Sequence, residues 1–178
     1  MARGWAPEHG RRSAALSRLD TFIKRVTAQR DCLNEIARLL AGRPGPVLEL
    51  GLGNGRTYDH LRSLFPERDI FVFDREIAAH PACIPPPERV LLGDFRDTLG
   101  GALARIGRRA VLAHGDFGSA DPARTAELAR FLGPALDPLL EPGAFVVSDQ
   151  RMSVARWRPL APPPGVDPER YFIWQVDG

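Results

Sequence analysis

The first candidate for chemistry is the stretch VLELGLGNGRTYDHL at residues 47–61, where an apolar run meets three glycines, Gly51, Gly53 and Gly55. Glycine adopts positive φ angles that other residues avoid, and it lets the backbone approach a ligand closely. A helix that begins at Arg56 would add unpaired backbone N–H groups, which favour an anion. The stretch therefore predicts a strand that ends in a ligand-binding turn.

Two familiar phosphate-binding motifs fit this turn poorly. A P-loop ends in Gly-Lys-Ser or Gly-Lys-Thr, and neither sequence follows these glycines. A dinucleotide-binding turn has the pattern GxGxxG, whose third glycine would stand where this chain has Arg56. An NAD-dependent oxidoreductase is therefore disfavoured but stays open as an interpretation, as does a nucleotide-binding module without catalytic activity.

The elements that must hold this turn form an alternating series. Helical patterns separate apolar runs of strand length, which lie at 47–51, 70–74, 90–94, 110–114 and 144–149. This alternation predicts an α/β fold with a doubly wound, Rossmann-like sheet that is mostly parallel. Ligands bind to such a sheet outside the carboxyl ends of its strands, where the glycine turn lies.

The helices between the strands have recognisable boundaries. Residues 56–65 predict a short helix that ends before Pro66, and residues 95–106 predict another. Asp121 followed by Pro122 is a typical N-cap and first helical residue, which predicts a helix toward Leu140.

The two ends of the chain differ from the core at 47–149. Residues 13–41 carry apolar positions at helical spacing, with Ser13 as a candidate N-cap, and predict an N-terminal helix. Residues 150–178 form a proline-rich tail, in which YFIWQV at 171–176 predicts an antiparallel edge strand. The 178 residues are expected to form one domain.

Composition argues against several classes of protein. The formal net charge is only +2 and the basic residues are almost all arginine, which does not favour a nucleic-acid partner. Cys32 and Cys83 have no CxxC or histidine spacing around them, so neither a zinc site nor a disulfide framework is predicted. No stretch approaches the ~20 apolar residues of a membrane span. We expect a soluble, cytoplasmic protein, and a homo-oligomer stays open.

The glycine turn resembles the first motif of the class I S-adenosylmethionine-dependent methyltransferases, in which an acidic residue precedes GxGxG. The matching residues here are Glu49, Gly51, Gly53 and Gly55. The resemblance implies S-adenosylmethionine as cofactor, and methyl transfer to a small-molecule acceptor that the sequence does not identify.

The same resemblance assigns roles to later residues. Members of the family carry an acidic residue after the second strand that holds the ribose hydroxyls, which implies this role for Asp74. They often carry another near the adenine after the third strand, which implies Asp94, with Phe95 covering the ring. The carboxylate of the cofactor is expected over the N–H groups that open the next helix, at Arg56, Thr57 and Tyr58.

The segment AVLAHGDFGS after the fourth strand supplies His114 and Asp116 as candidate catalytic residues. A carboxylate near a sulfonium and an imidazole with a pKa near neutrality both suit proton removal from an acceptor. The alternative, that His114 only lines the cofactor pocket, stays open.

A divalent metal is the remaining alternative for catalysis. Catechol-type methyltransferases hold magnesium with acidic residues after strands four and five, and Asp116 with Asp149 and Gln150 resembles that pattern loosely. The guanidinium of Arg151 is expected to oppose a cation beside Asp149 unless it turns away. The sequence therefore predicts a pocket without metal.

Overall fold

The structure is a computed structural model that describes residues 16–178. Its helices are α1 (Arg18–Leu39), α2 (Arg56–Leu64), α3 (Phe95–Thr98), α4 (Ala102–Ile106) and α5 (Pro122–Leu136). Its strands are β1 (Val47–Leu50), β2 (Ile70–Asp74), β3 (Val90–Leu92), β4 (Ala110–Gly115), β5 (Leu140–Ser148), β6 (Trp157–Leu160) and β7 (Phe172–Val176).

The strands form one sheet in the order β3-β2-β1-β4-β5-β7-β6. Strands β1 to β5 are parallel, whereas β7 is antiparallel to both of its neighbours. The chain order reverses between β1 and β4, which creates the crevice where open α/β sheets bind ligands. The prediction of a doubly wound, mostly parallel sheet is confirmed.

Apolar residues on both faces of the central strands explain the layered arrangement. Val47 of β1 packs in a cluster with Leu33 of α1 and Leu61 of α2. The next residue, Leu48, packs in the other cluster with Leu132 of α5. Since successive side chains of a strand point to opposite faces, β1 is covered by α1 and α2 on one side and by α5 on the other.

Three helix boundaries differ from the prediction. Ser13 lies outside the described residues, and α1 begins at Arg18 after Ser17, whose hydroxyl accepts a hydrogen bond from the Asp20 N–H at 3.0 Å. The segment 95–106 forms two helices, because the glycine pair at 100–101 has low helix propensity. Helix α5 ends at Leu136, since Pro138 has no N–H to continue it.

The C-terminal tail contains two strands. The predicted antiparallel strand is confirmed as β7, and β6 lies beside it at the edge of the sheet. β6 lies in the segment that the sequence predicts as part of the proline-rich tail, because Pro159 disfavours a strand interior but is tolerated at an edge. The buried Trp157 holds β6 in place through its indole N–H, which donates to Asp137 at 2.7 Å.

No helix within residues 16–178 combines the length and the apolar character that crossing a membrane requires.

Candidate active site

The glycine turn after β1 has positive φ angles at all three glycines, 91° at Gly51, 50° at Gly53 and 84° at Gly55. A Cβ atom added at Gly51 or Gly53 would meet no heavy atom within 4 Å. A Cβ atom at Gly55 would lie 2.5 Å from the Cβ atom of Cys83. Gly51 and Gly53 therefore leave open space above the turn, whereas Gly55 lets the start of α2 pack against the loop after β2.

A cleft of about 1090 Å³ lies over this turn, at the carboxyl ends of the parallel strands. It brings together most of the predicted site residues: Glu49, Gly51, Gly53, Arg56, Thr57, Asp74, Asp94, Phe95 and Asp116. The predicted residues that lie behind its wall are Gly55, Tyr58 and His114. The side chain of Tyr58 is buried in the core, so only its backbone N–H is a candidate contact.

Asp74, at the end of β2, holds the glycine turn in place through hydrogen bonds. Its Oδ2 atom accepts hydrogen bonds from the N–H groups of Leu52 at 2.6 Å and Gly53 at 3.2 Å. Its Oδ1 atom accepts from the N–H of Arg75 at 2.6 Å. An ionised carboxylate has about four lone-pair sites, so this partly exposed group retains acceptor capacity toward the cleft.

The first turn of α2 presents unpaired backbone donors. Gly55 is its N-cap and provides no side chain to bond them, and the Arg56 N–H lies 3.4 Å from Asn54 Oδ1. The N–H groups of Thr57 and Tyr58 have no acceptor among residues 16–178. The N-terminus of a helix with such unpaired N–H groups favours an anionic ligand group.

Asp94 and Phe95 stand on the far side of the cleft, after β3. Asp94 is the N-cap of α3, and its Oδ1 atom accepts a hydrogen bond from the Arg96 N–H at 3.0 Å. The side chain is exposed in the cleft, and the half-buried Phe95 ring lies beside it. Asp94 is therefore both a helix cap and a group available to a ligand.

A buried hydrogen-bonded chain runs beneath the cleft. Glu49 Oε2 lies 2.6 Å from His114 Nδ1, and His114 Nε2 lies 2.6 Å from the Tyr171 hydroxyl. Burial raises the pKa of Tyr171 well above its ordinary value, so the phenol keeps its proton and forms a hydrogen bond with Nε2 as a neutral hydroxyl. The Nδ1–H of His114 is then directed at Glu49.

His114 and Glu49 behave as one unit, because both side chains are almost completely buried. Burial disfavours a charge on His114, but the adjacent Glu49 carboxylate outweighs this effect and raises the pKa of the imidazole. The amide of Gln29, 3.3 Å from His114 Nε2, also donates to Thr57 Oγ1 at 3.1 Å. The buried chain is thereby connected to the first turn of α2.

Asp116 follows β4 and forms an ion pair with Arg25 of α1. The pKa of Asp116 is raised to about 6, mainly by burial and secondly by the nearby Asp149 carboxylate. Asp149 in turn accepts hydrogen bonds from the N–H groups of Phe117 and Gly118, both at 3.0 Å. Asp149 thus shapes the loop that carries Asp116.

The Arg151 guanidinium is engaged by another carboxylate, so its expected opposition to a cation beside Asp149 does not hold. Arg151 pairs with Glu169 at 2.6 Å, and the cation beside Asp116 is Arg25. Within the part of the chain that the structure describes, no group of three or more His, Cys, Asp or Glu side chains is arranged to hold a metal ion.

Comparison with known proteins gives a family that fits this site, with its glycine turn, strand-end carboxylates and unpaired N–H groups. Residues 16–176 match the model of a family described as S-adenosyl-L-methionine methyltransferase, and the chain belongs to that family. A crystal structure described as an S-adenosyl-L-methionine methyl transferase from Silicibacter pomeroyi DSS-3 is 43% identical, with a TM-score of 0.86. The match covers 91% of this chain and 99% of that chain.

More distant solved structures share the fold alone. TrmN from Thermus thermophilus is 18% identical with a TM-score of 0.55, and the match covers 87% of this chain and 52% of that one. The MycE methyltransferase of the mycinamycin pathway, in complex with Mg and SAH, is 16% identical with a TM-score of 0.54. That match covers 91% of this chain and 49% of the MycE chain. A search of curated proteins found no match.

The protein is thus an S-adenosylmethionine-dependent methyltransferase, as the sequence predicted. The residues present suit the cofactor, because Gly51 and Gly53 leave space for it and the first turn of α2 offers donors to its carboxylate. Neither the oxidoreductase nor the non-catalytic alternative is supported by the family or by the 43% identical structure.

Proposed function

We propose that S-adenosylmethionine lies along the glycine turn and that a small-molecule acceptor is methylated beside Asp116, in the cytoplasm. The observation that carries this proposal is the combination of open space above Gly51 and Gly53 with the unpaired N–H groups of Thr57 and Tyr58. An anion at these donors and a backbone that tolerates close approach both suit the amino-acid half of the cofactor.

The strand-end residues would hold the rest of the cofactor. The Asp74 carboxylate accepts hydrogen bonds from the ribose hydroxyls with its remaining lone pairs, while it keeps the glycine turn in place. Asp94 and Phe95 contact the adenine, Phe95 through the face or edge of its ring. Glu49 forms the floor between these two ends of the cleft.

Asp116 is the proposed catalytic base. When bound, S-adenosylmethionine supplies a methyl group on a positively charged sulfur, and the acceptor must lose a proton as it takes that group. With a pKa of about 6, Asp116 is mostly ionised at neutral pH and can accept this proton from a hydroxyl or an amine. Its side chain is 18% exposed, which leaves it within reach of a molecule in the cleft.

His114 has a different role in this proposal. Its ring is completely buried and both nitrogens have partners, so we assign it to positioning Glu49 instead of to direct proton transfer. The reaction is proposed to proceed without metal, since Arg25 already supplies the positive charge beside Asp116.

The remaining assignments rest on general features of the chain. A cleft of this size with a partly buried base favours a small molecule over a nucleic acid as acceptor. Cys32 and Cys83 are both free thiols, which fits a reducing compartment such as the cytoplasm.

Isothermal titration calorimetry with S-adenosylmethionine, S-adenosylhomocysteine and NAD tests the cofactor site. We expect both adenosyl ligands to bind and NAD not to bind. An Asp69→Ala variant is the control for surface charge and should bind the ligands as the wild-type protein does. Asp69 pairs with Arg89 at the end of β2 opposite to Asp74. Binding of NAD in preference to the adenosyl ligands would overturn the proposal.

A further inference from the structure

One face of α1 forms a wall of the cleft that the cofactor-binding elements do not use. Its residues recur at helical spacing: Phe22, Arg25, Val26, Gln29, Arg30 and Leu33. This face combines an apolar surface with two guanidinium groups and has no acidic residue. Since Arg25 of this wall is paired with Asp116, the proposed base, this wall is where an acceptor would lie.

The ion pair between Arg25 and Asp116 joins this wall to the proposed base. The Arg25 side chain is 39% exposed and its guanidinium lies 5.6 Å from the centre of the Phe22 ring, which is itself 42% exposed. A cation held against a carboxylate lowers the affinity of that carboxylate for a proton. Asp116 is therefore a weaker base while it is ion-paired with Arg25.

The other charged groups around this wall are mostly occupied. Asp121 accepts hydrogen bonds from two N–H groups at the start of α5, and Glu127 pairs with Arg96 at 2.8 Å. Arg30 pairs with its neighbour Asp31 at 2.8 Å. Arg124 adds a further positive charge from α5. Arg25, whose partner is Asp116, and Arg124 are therefore the positive charges on this side of the cleft that an incoming anion can engage.

We propose that the methyl acceptor has an apolar or aromatic body and an anionic group, and that this group replaces Asp116 as the ion-pair partner of Arg25. The body packs against Phe22 and Val26, and the hydroxyl or amine to be methylated meets the released Asp116. A neutral or cationic acceptor would leave Arg25 on Asp116 and the base less reactive. This proposal rests on the proposed function, because it names the acceptor class of the same site.

Calorimetry on the protein saturated with S-adenosylhomocysteine provides the test, with four probes that share a benzene ring. The anionic probes are 4-hydroxybenzoate and phenyl phosphate, which distinguish a carboxylate from a phosphate. The neutral probe is 4-hydroxybenzamide and the cationic probe is tyramine. We expect at least one anionic probe to bind about tenfold or more tightly than the other two, as for a charge-assisted hydrogen bond.

Two variants assign the effect to the ion pair. Arg25→Gln should remove the preference for the anion, whereas Asp116→Asn should strengthen anion binding because Arg25 loses its competing partner. The matched control is Arg151→Gln, whose guanidinium pairs with Glu169 on the surface and should leave all probe affinities unchanged.

The outcomes separate this proposal from the assignment of the cofactor site. Failure of the wild-type protein to bind S-adenosylhomocysteine would contradict the cofactor site itself. Normal binding of S-adenosylhomocysteine, together with no probe bound, no preference for an anion or an unchanged preference in Arg25→Gln, would overturn the acceptor class alone.

Discussion

The His114 Nδ1 atom lies 2.6 Å from Glu49 Oε2, and this buried pair joins β4 to β1 directly beneath the cleft. Glu49 belongs to the motif that identified the family, yet its hydrogen-bond partner is a histidine and not a backbone group of the glycine turn. The Tyr171 hydroxyl, from the residue before β7, completes the arrangement. The C-terminal tail therefore contributes to the floor of the site.

The first prediction concerns the Tyr171 hydroxyl. Tyr171→Phe keeps the ring but leaves His114 Nε2 short of a hydrogen bond in a buried site, which should lower the free energy of unfolding by about 1–3 kcal/mol. Urea denaturation measures this loss. Tyr58→Phe is the matched control, since the Tyr58 hydroxyl has no hydrogen bond among the described residues and its removal should change stability little. Equal losses in both variants would argue against a special role for Tyr171.

The second prediction is a pH dependence of stability. Because the pKa of His114 is raised in the folded protein, its contribution is complete below the unfolded value of about 6.5 and is lost as pH rises through the folded value. The stability difference between the wild-type protein and His114→Gln should therefore shrink from pH 6 toward pH 9. A difference that grows with pH in urea denaturation would be inconsistent with the raised pKa.

The third prediction separates the roles of two glycines. Gly53→Val places a side chain in the open space above the turn, so cofactor affinity should fall more than stability does. Gly55→Ala instead forces its Cβ atom against Cys83, so stability should fall more. Both positions have positive φ, which adds strain of about 1–3 kcal/mol in either variant. Calorimetry with S-adenosylhomocysteine and thermal unfolding distinguish the two effects, and the reverse pattern would refute the assignment.

The fourth prediction concerns Asp74. Asp74→Ala should weaken S-adenosylhomocysteine binding by about tenfold or more, the effect of losing charge-assisted hydrogen bonds to a diol. The fold should persist, although the turn loses the acceptor of the Leu52 and Gly53 N–H groups. Circular dichroism verifies that the variant is folded, and calorimetry measures its affinity for S-adenosylhomocysteine. Unchanged affinity would mean that Asp74 serves the turn alone.

The fifth prediction tests the base and the absence of metal, with the first acceptor that supports turnover. Asp116→Asn should reduce kcat by about 10²–10⁴, and the kcat/KM of the wild-type enzyme should fall below pH 6 as Asp116 takes up a proton. Activity should be unchanged in EDTA. Loss of activity in EDTA with recovery on addition of magnesium would favour the metal-dependent alternative.

The order of strands and helices, the glycine turn and the acidic residues at the strand ends were predictable because each depends on a local pattern. Parallel topology then brings the ends of β1, β2 and β4 together without further information. Strand β6 was missed because WRPL shows no alternation, and it becomes a strand only beside β7.

The contacts that define the acceptor side depend on tertiary packing. Arg25 and Asp116 are 91 positions apart, and His114 and Tyr171 are 57 positions apart. No spacing rule connects such residues, since the packing of α1 and of the tail on the sheet decides which side chains meet. The same reason explains Arg151, which follows Asp149 in sequence but pairs with Glu169 of the tail.

A crystal structure of the protein with S-adenosylhomocysteine would show whether the cofactor lies along the glycine turn. We expect the ligand carboxylate to lie about 3 Å from the N–H groups of Thr57 and Tyr58, and the ribose hydroxyls to lie at a similar distance from Asp74. A ligand bound elsewhere, or bound in the cleft without contact to the glycine turn and Asp74, would contradict this expectation.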